Sequence, residues 1–109
     1  MSEKPLDIDV AVLQATFDAI DGAEERLAAV LARYVVLTRH EPGCRNVDLL
    51  ASATTRGRLC IVEKWESADL AQAHLDSTLM VDMAKDAIPL LAAKPAIDLL
   101  DTISAHDLM

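Results

Sequence analysis

Residues Asn46 to Trp65 read "NVDLLASATTRGRLCIVEKW". Two apolar-rich runs flank "TTRGR", Thr54 to Arg58, whose polar residues and glycine suit a turn. Asn46–Ala53 and Leu59–Trp65 are therefore expected to be the two strands of a hairpin. With the tip near Thr55, Cys60 falls opposite about Leu50. Strand alternation puts Leu59, Ile61, Glu63 and Trp65 on one face and Cys60, Val62 and Lys64 on the other.

Upstream of the hairpin stands "EPGC", Glu41 to Cys44. Pro42 pushes its predecessor out of helical geometry and Gly43 tolerates the turn that follows, so a helix ends at about His40. That helix opens at Asp21, where "DGAE" is an Asp-x-x-Glu capping signal. Leu27, Val30, Leu31, Tyr34 and Thr38 recur along it at helical spacing. Before it, Ile8 to Phe17 predicts a strand with apolar residues on both faces. Downstream, Ser67 is an N-cap for "ADLAQAHLDS". Thr78 to Ala93 continues helically, with Pro89 as a kink or break, and Lys94-Pro95 ends the run. Ile97 to Ser104 is the last strand. Residues 8–104 then form a single α+β domain between a tail at 1–7 and another at 105–109.

The order β-α-β-β-α-β favours a ferredoxin-like sandwich: an antiparallel sheet with both helices on one face. The other sheet face is left bare although the strands carry apolar residues on both sides. Soluble monomers seldom expose so large an apolar patch. A homodimer with its two sheets face to face is the expected solution.

The chain has 109 residues and a formal net charge of −8. Such a charge disfavours nucleic acid and anionic membrane as partners. No apolar run reaches the length of a bilayer span, and "MSEKPLD" has no signal-peptide hydrophobic region. A cytoplasmic protein is expected. The two cysteines do not form a disulfide framework. At ~3.3 Å per residue the hairpin separates them by roughly 20 Å, against the ~7 Å that a disulfide allows.

His40 and Cys44 stand at i, i+4, but Pro-Gly breaks the helical register between them. No second Cys/His pair supplies the remaining ligands, so no metal is implied. Three unpatterned glycines offer no phosphate loop, and nothing implies a nucleotide or flavin. Glu63 and Trp65 carry more information. A carboxylate beside an indole on one strand face is partly desolvated, which suits general-base work; the plainer reading pairs it with a cation at the sheet rim. Trp65 is either core or the wall of an aromatic-ligand pocket. His74 shares a helix face with Leu70, as a hydrogen-bonded structural residue or as a polar group lining a pocket. Gln14, an amide in the first strand, needs partners if buried. Met80 and Met83 either line the same cavity or belong to the core. Asn46 is a second amide able to orient a ligand carbonyl.

Three motifs in order, Glu41 to Cys44, Glu63 with Trp65, and Ala73 to Leu75, resemble the antibiotic biosynthesis monooxygenase family, over about Ile8 to Ile103. The resemblance implies a homodimeric α+β barrel. It also implies oxidation of a quinol-like or polycyclic aromatic molecule by O₂ without metal, flavin or other cofactor, the deprotonated substrate itself reducing O₂. Among the family's active-site residues only Trp65 is carried over, as the wall of the site. Read from the residues themselves, Glu63 or His74 is the catalytic group that deprotonates the substrate or holds its oxygen, Gln14 or Asn46 orients a carbonyl, and Met80 and Met83 line the substrate cavity. Ile61 stands where polyketide-oxidising relatives carry an Asn, and Met80 to Ala87 lacks the histidine by which haem-degrading relatives hold iron. Val47 and Met80 replace aromatics common in the family. The alternative is a non-catalytic small-molecule binding or sensing dimer of the same fold.

Overall fold

The structure, a computed structural model, describes residues 10–103. The two expected tails lie outside the described residues, as do Ile8, Asp9 and Ser104 of the expected terminal strands. Four strands, β1 (Ala11–Asp18), β2 (Cys44–Ala51), β3 (Arg58–Trp65) and β4 (Ala96–Asp101), combine with three helices. The helices are α1 (Glu24–Thr38), α2 (Ala68–Leu75) and α3 (Thr78–Ala87), the last followed by a 3-10 turn at Ile88–Leu90. The sheet is antiparallel in the order β2-β3-β1-β4. This is the ferredoxin-like α+β architecture.

The hairpin has the expected register, with Leu50 opposite Cys60. A bulge between Cys44 and Asn46 lets β2 begin two residues earlier than its apolar run suggested. Glu63 lies at the middle of the sheet, between Val47 on β2 and Leu13 on β1.

The helix ends depart from expectation in three places. Gly22 takes φ +86°, so Asp21 stays outside the helix and Ala23 becomes the N-cap. Glu24 does reach back, accepting from the Gly22 N–H at 3.0 Å. The long second helix is two helices. Ser67 caps α2 by accepting from the Leu70 N–H, and Ser77 caps α3 in the same way from the Met80 N–H, each at 3.2 Å. The helical run also stops short of Ala93. Pro89 cannot continue the ladder, Leu91 is extended and bridges Ala19, and the Ala92 N–H donates to the Asp18 carbonyl at 2.7 Å.

All three helices cover one sheet face, and the core beneath them has two apolar parts. The larger joins Phe17, Leu27, Leu31, Val35, Val47, Ile61 and Met83. The smaller joins Ala11, Leu13, Trp65 and Ala71. On the bare face, Val12, Cys60 and Val62 are half-buried and Leu50 and Leu100 are exposed, interspersed with Gln14, Asn46, Asp48 and Asp98. β4 is an edge strand exposed along its whole length. Among the described residues no helix is long and apolar enough to cross a membrane.

Candidate functional site

The two apolar parts of the core meet at a cluster of four polar or amphipathic side chains. Alternation along β3 turns Glu63 and Trp65 toward the helices, where they are 2% and 1% exposed. Being two residues apart on one face, they touch: the Trp65 Nε1–H donates to Glu63 Oε1 at 2.9 Å. Tyr34 follows Leu27 and Leu31 on the buried stripe of α1, and its hydroxyl donates to Glu63 Oε2 at 2.5 Å. His74 sits one turn after Ala71 on the buried face of α2. Its Nε2 is 2.6 Å from the Tyr34 oxygen and 3.6 Å from Glu63 Oε1. The imidazole also lies against the indole of Trp65, ring centres 4.6 Å apart.

Burying an ion costs several kcal/mol unless its lone pairs are filled. Here each carboxylate oxygen accepts from a different neutral donor, one on the same strand and one from α1. Charge-assisted bonds of this kind are about twice as strong as neutral ones. Both oxygens of the Glu63 carboxyl are thereby hydrogen-bonded.

Proton positions follow from donor counting. Tyr34 has a single hydroxyl proton, directed to Glu63. The contact with His74 then requires Nε2–H to donate to the Tyr34 oxygen, which leaves Nδ1 as a bare acceptor. That atom is buried and has no hydrogen-bond partner. Oε1 of Glu41 lies 4.0 Å from it. Burial lowers the proton affinity of the imidazole, opposed by Glu63 and Glu41, so the ring is held below its ordinary pKa. Burial, then the charge of Glu63, pushes the Tyr34 phenol far above its usual range. The same two causes, in the same order, push the Cys44 thiol up.

Glu63, His74 and Trp65, expected as site residues, are thus brought together. Met83 is buried and lines a groove of about 530 Å³ between α1 and α3, with Val30, Tyr34 and Leu37 as further apolar walls and Arg33 and Asp86 also lining it. Met80 packs against the core and is not part of that lining. Gln14 and Asn46, expected among the substrate-binding residues, are not brought to this cluster. Gln14 pairs with Val62, so alternation turns it onto the bare sheet face, where it is exposed. Asn46 is exposed, donates to Asp48 Oδ2 at 3.1 Å, and stands opposite Lys64, on the other face from Glu63.

Tyr34, a member of the cluster, and Glu41, beside it at 4.0 Å, are not singled out by sequence reasoning. A tyrosine on the buried stripe of a helix carries a signal, since its hydroxyl needs a partner. Glu41 carries none beyond its place in the turn. Both cysteines are free. Among the described residues, no three His, Cys, Asp or Glu side chains converge as metal ligands would.

The fold and the site define a ferredoxin-like α+β domain with an acid–base cluster buried between sheet and helices. Residues 11–86 match the antibiotic biosynthesis monooxygenase family, and the chain belongs to it. Rv0793 of Mycobacterium tuberculosis is 27% identical over 88% of this chain and 97% of its own, with a TM-score of 0.81. PA3566 of Pseudomonas aeruginosa is 24% identical over 88% and 96%, with a TM-score of 0.77. A Caulobacter crescentus protein provisionally named an antibiotic biosynthesis monooxygenase is 22% identical over 91% and 95%, with a TM-score of 0.78. The last two likenesses concern the fold alone. Among curated proteins nothing matches.

Proposed function

We propose that this protein is a cofactor-independent monooxygenase that oxidises a quinol-like or polycyclic aromatic molecule with O₂, working as a homodimer. The observation that carries the reading is the hydrogen-bonded chain Glu63–Tyr34–His74, an acid–base system buried beside the indole of Trp65. A hydroxylated aromatic becomes a strong reductant of O₂ once deprotonated. Glu63, with His74 beside it, takes the phenolic proton, and exclusion of water keeps the carboxylate effective. The substrate anion passes electrons to O₂, and a hydroperoxide forms at a ring carbon. It collapses by losing water: one oxygen atom stays on the ring as a carbonyl and the other leaves as H₂O. The substrate's own C–H electrons are the reductant. Trp65 forms the wall of the site. The groove between α1 and α3 is the approach, with α3 as the element that yields, since it is bounded by the Asp76–Ser77 break and by Pro89.

Homodimerisation is supported by the bare sheet face, where Val12, Cys60 and Val62 are half-buried and Leu50 and Leu100 exposed, with no helix over them among the described residues. Two such faces apposed across a two-fold axis bury each other's apolar side chains.

The test is O₂ uptake by metal-free protein across a panel of hydroquinones and hydroxylated anthracenones. Glu63→Gln is expected to lower kcat by about 100-fold or more, the usual range for loss of a general base, and Trp65→Ala to raise KM. Uptake no faster than autoxidation for every substrate would reject the reading. One observation favours a second reading, a non-catalytic small-molecule binding dimer: Ile61, 1% exposed, puts an apolar side chain beside Glu63 on the strand face that substrate would meet. That reading predicts ligand-dependent thermal stabilisation with no O₂ consumption.

A further inference from the structure

We propose that Glu41, the imidazole of His74 and the Tyr34 hydroxyl form a proton relay joining the buried Glu63 carboxylate to solvent, with Glu41 as its outer end. The use of the relay in turnover rests on the oxygenase reading above; its existence does not.

The inner contacts are continuous, 2.5 Å from Tyr34 to Glu63 and 2.6 Å from His74 Nε2 to Tyr34. At the outer end stands Nδ1, an acceptor without a hydrogen-bond partner on a side chain only 1% exposed. Glu41 Oε1 lies 4.0 Å from it, on a side chain that is 37% exposed and so reaches bulk water. One water molecule donating to both atoms, or a small swing of the Glu41 carboxyl, closes that gap. The corner that carries Glu41 is well anchored. The Glu41 N–H donates to the Thr38 carbonyl at 3.0 Å, the Cys44 N–H to the Glu41 carbonyl at 3.1 Å, and the Glu66 N–H to the Gly43 carbonyl at 2.9 Å. Gly43 abuts Leu70, which belongs to the same helix as His74. The "EPGC" corner therefore holds the Glu41 backbone in place beside the helix that carries the imidazole.

The other titratable or charged groups at this place are not alternatives. Arg39 donates to the Val47 carbonyl at 3.1 Å, and the Cys44 thiol is held protonated by burial and by Glu63. In one passage Glu41 takes a proton from solvent and passes it to Nδ1, Nε2 gives its proton to the Tyr34 oxygen, and Tyr34 gives its hydroxyl proton to Glu63. One proton has moved inward, His74 has changed tautomer, and the reverse passage restores both. Glu63 thus changes its protonation state without water entering the core.

The experiment is NMR of the full chain labelled with ¹⁵N-histidine, in wild type, Glu41→Gln and Glu66→Gln. Glu66→Gln removes an exposed charge at the same corner without touching the relay. The resting tautomer is expected to be Nε2–H. Glu41→Gln is expected to slow exchange of that proton with water by about tenfold or more, and to move the His74 titration to lower pH. Glu66→Gln is expected to do neither. Unchanged exchange in Glu41→Gln, or equal slowing in both variants, would overturn the relay. Quinol-dependent O₂ uptake is measured on the same samples. If wild type consumes no O₂ while Glu41→Gln slows exchange, the oxygenase reading fails and the relay stands. If exchange is unaffected, the relay fails whatever the O₂ uptake.

Discussion

Glu63 carries the tightest constraint of any side chain in this core, and its two oxygens answer to different partners. Tyr34→Phe leaves Oε2 without a donor in a region closed to water. The expected cost is about 1–3 kcal/mol, seen as a lowered urea midpoint. Glu63→Gln is expected to be far milder, within about 1 kcal/mol of wild type. The amide still accepts from Trp65, while its NH₂ donates to Tyr34, which turns its own proton toward Nε2. His74 must then carry its proton on Nδ1, facing Glu41, a tautomer switch that ¹⁵N shifts report directly. His74 also sets a pH dependence. Its folded pKa lies below the ordinary 6.5, so between those two values the unfolded chain binds more protons than the folded one. Stability is therefore complete above about pH 6.5 and is lost as pH falls toward the folded value, at no more than about 1.4 kcal/mol per pH unit for one proton. Urea titrations between pH 7.5 and 5 should show this slope, and His74→Gln should flatten it. Glu63, Trp65 and His74 were legible because a polar residue among apolar ones betrays the phase of its element. Gln14 was not. β1 is apolar at both odd and even positions, so only the pairing of Gln14 with Val62 settles its face, and register is not written in a single strand.

At the scale of elements, the hairpin and α1 were readable from periodicity, and the division between α2 and α3 was not. Asp76-Ser77-Thr78 contains neither Gly nor Pro. The break lies in Ser77 offering its side chain to the Met80 N–H, a competition between cap and continued helix that apolar spacing does not register. The corner before β2 was read correctly as a stop, but its second task, placing Glu41, depends on contacts far away in sequence. Gly43 has φ +85°, and a Cβ there would lie 2.6 Å from Leu70 Cδ1. Gly22 has a similar φ, +86°, but a Cβ there would meet nothing within 4 Å. Gly22→Ala should therefore cost about 1–2 kcal/mol from left-handed strain alone. Gly43→Ala should cost more, because Leu70 must also give way. Thermal unfolding of the two variants side by side checks the order.

The whole molecule bears a formal net charge of −8, which bears on association. Two copies meeting sheet to sheet bring like charges together, so added salt should tighten the proposed dimer by screening. Val62 lies at the centre of the bare face, between Gln14 and Asp48. Val62→Lys is expected to give a folded monomer, measured by light scattering at micromolar concentration, while wild type scatters as a dimer. A monomeric wild type under the same conditions would count against the apposed sheets. The apolar content of the face was legible in the sequence. How it is divided was not, because Asp48 and Asp98 join Gln14 there only through the order of strands.

Trp65 is the sole tryptophan of the chain; it is hydrogen-bonded to Glu63, and its ring lies tilted against that of His74. The protein therefore has an optical reporter at its most informative point. An imidazolium quenches indole emission more strongly than a neutral imidazole, so acidification should dim the fluorescence along the titration of His74 rather than along unfolding. In Glu63→Gln the emission maximum should shift as the indole N–H comes to donate to an amide oxygen in place of the Glu63 carboxyl. A ligand reaching the site should alter the same signal within the dead time of a stopped-flow mixer. Arrival, protonation and turnover can thus be timed separately, without a label, from one side chain that the sequence supplies only once.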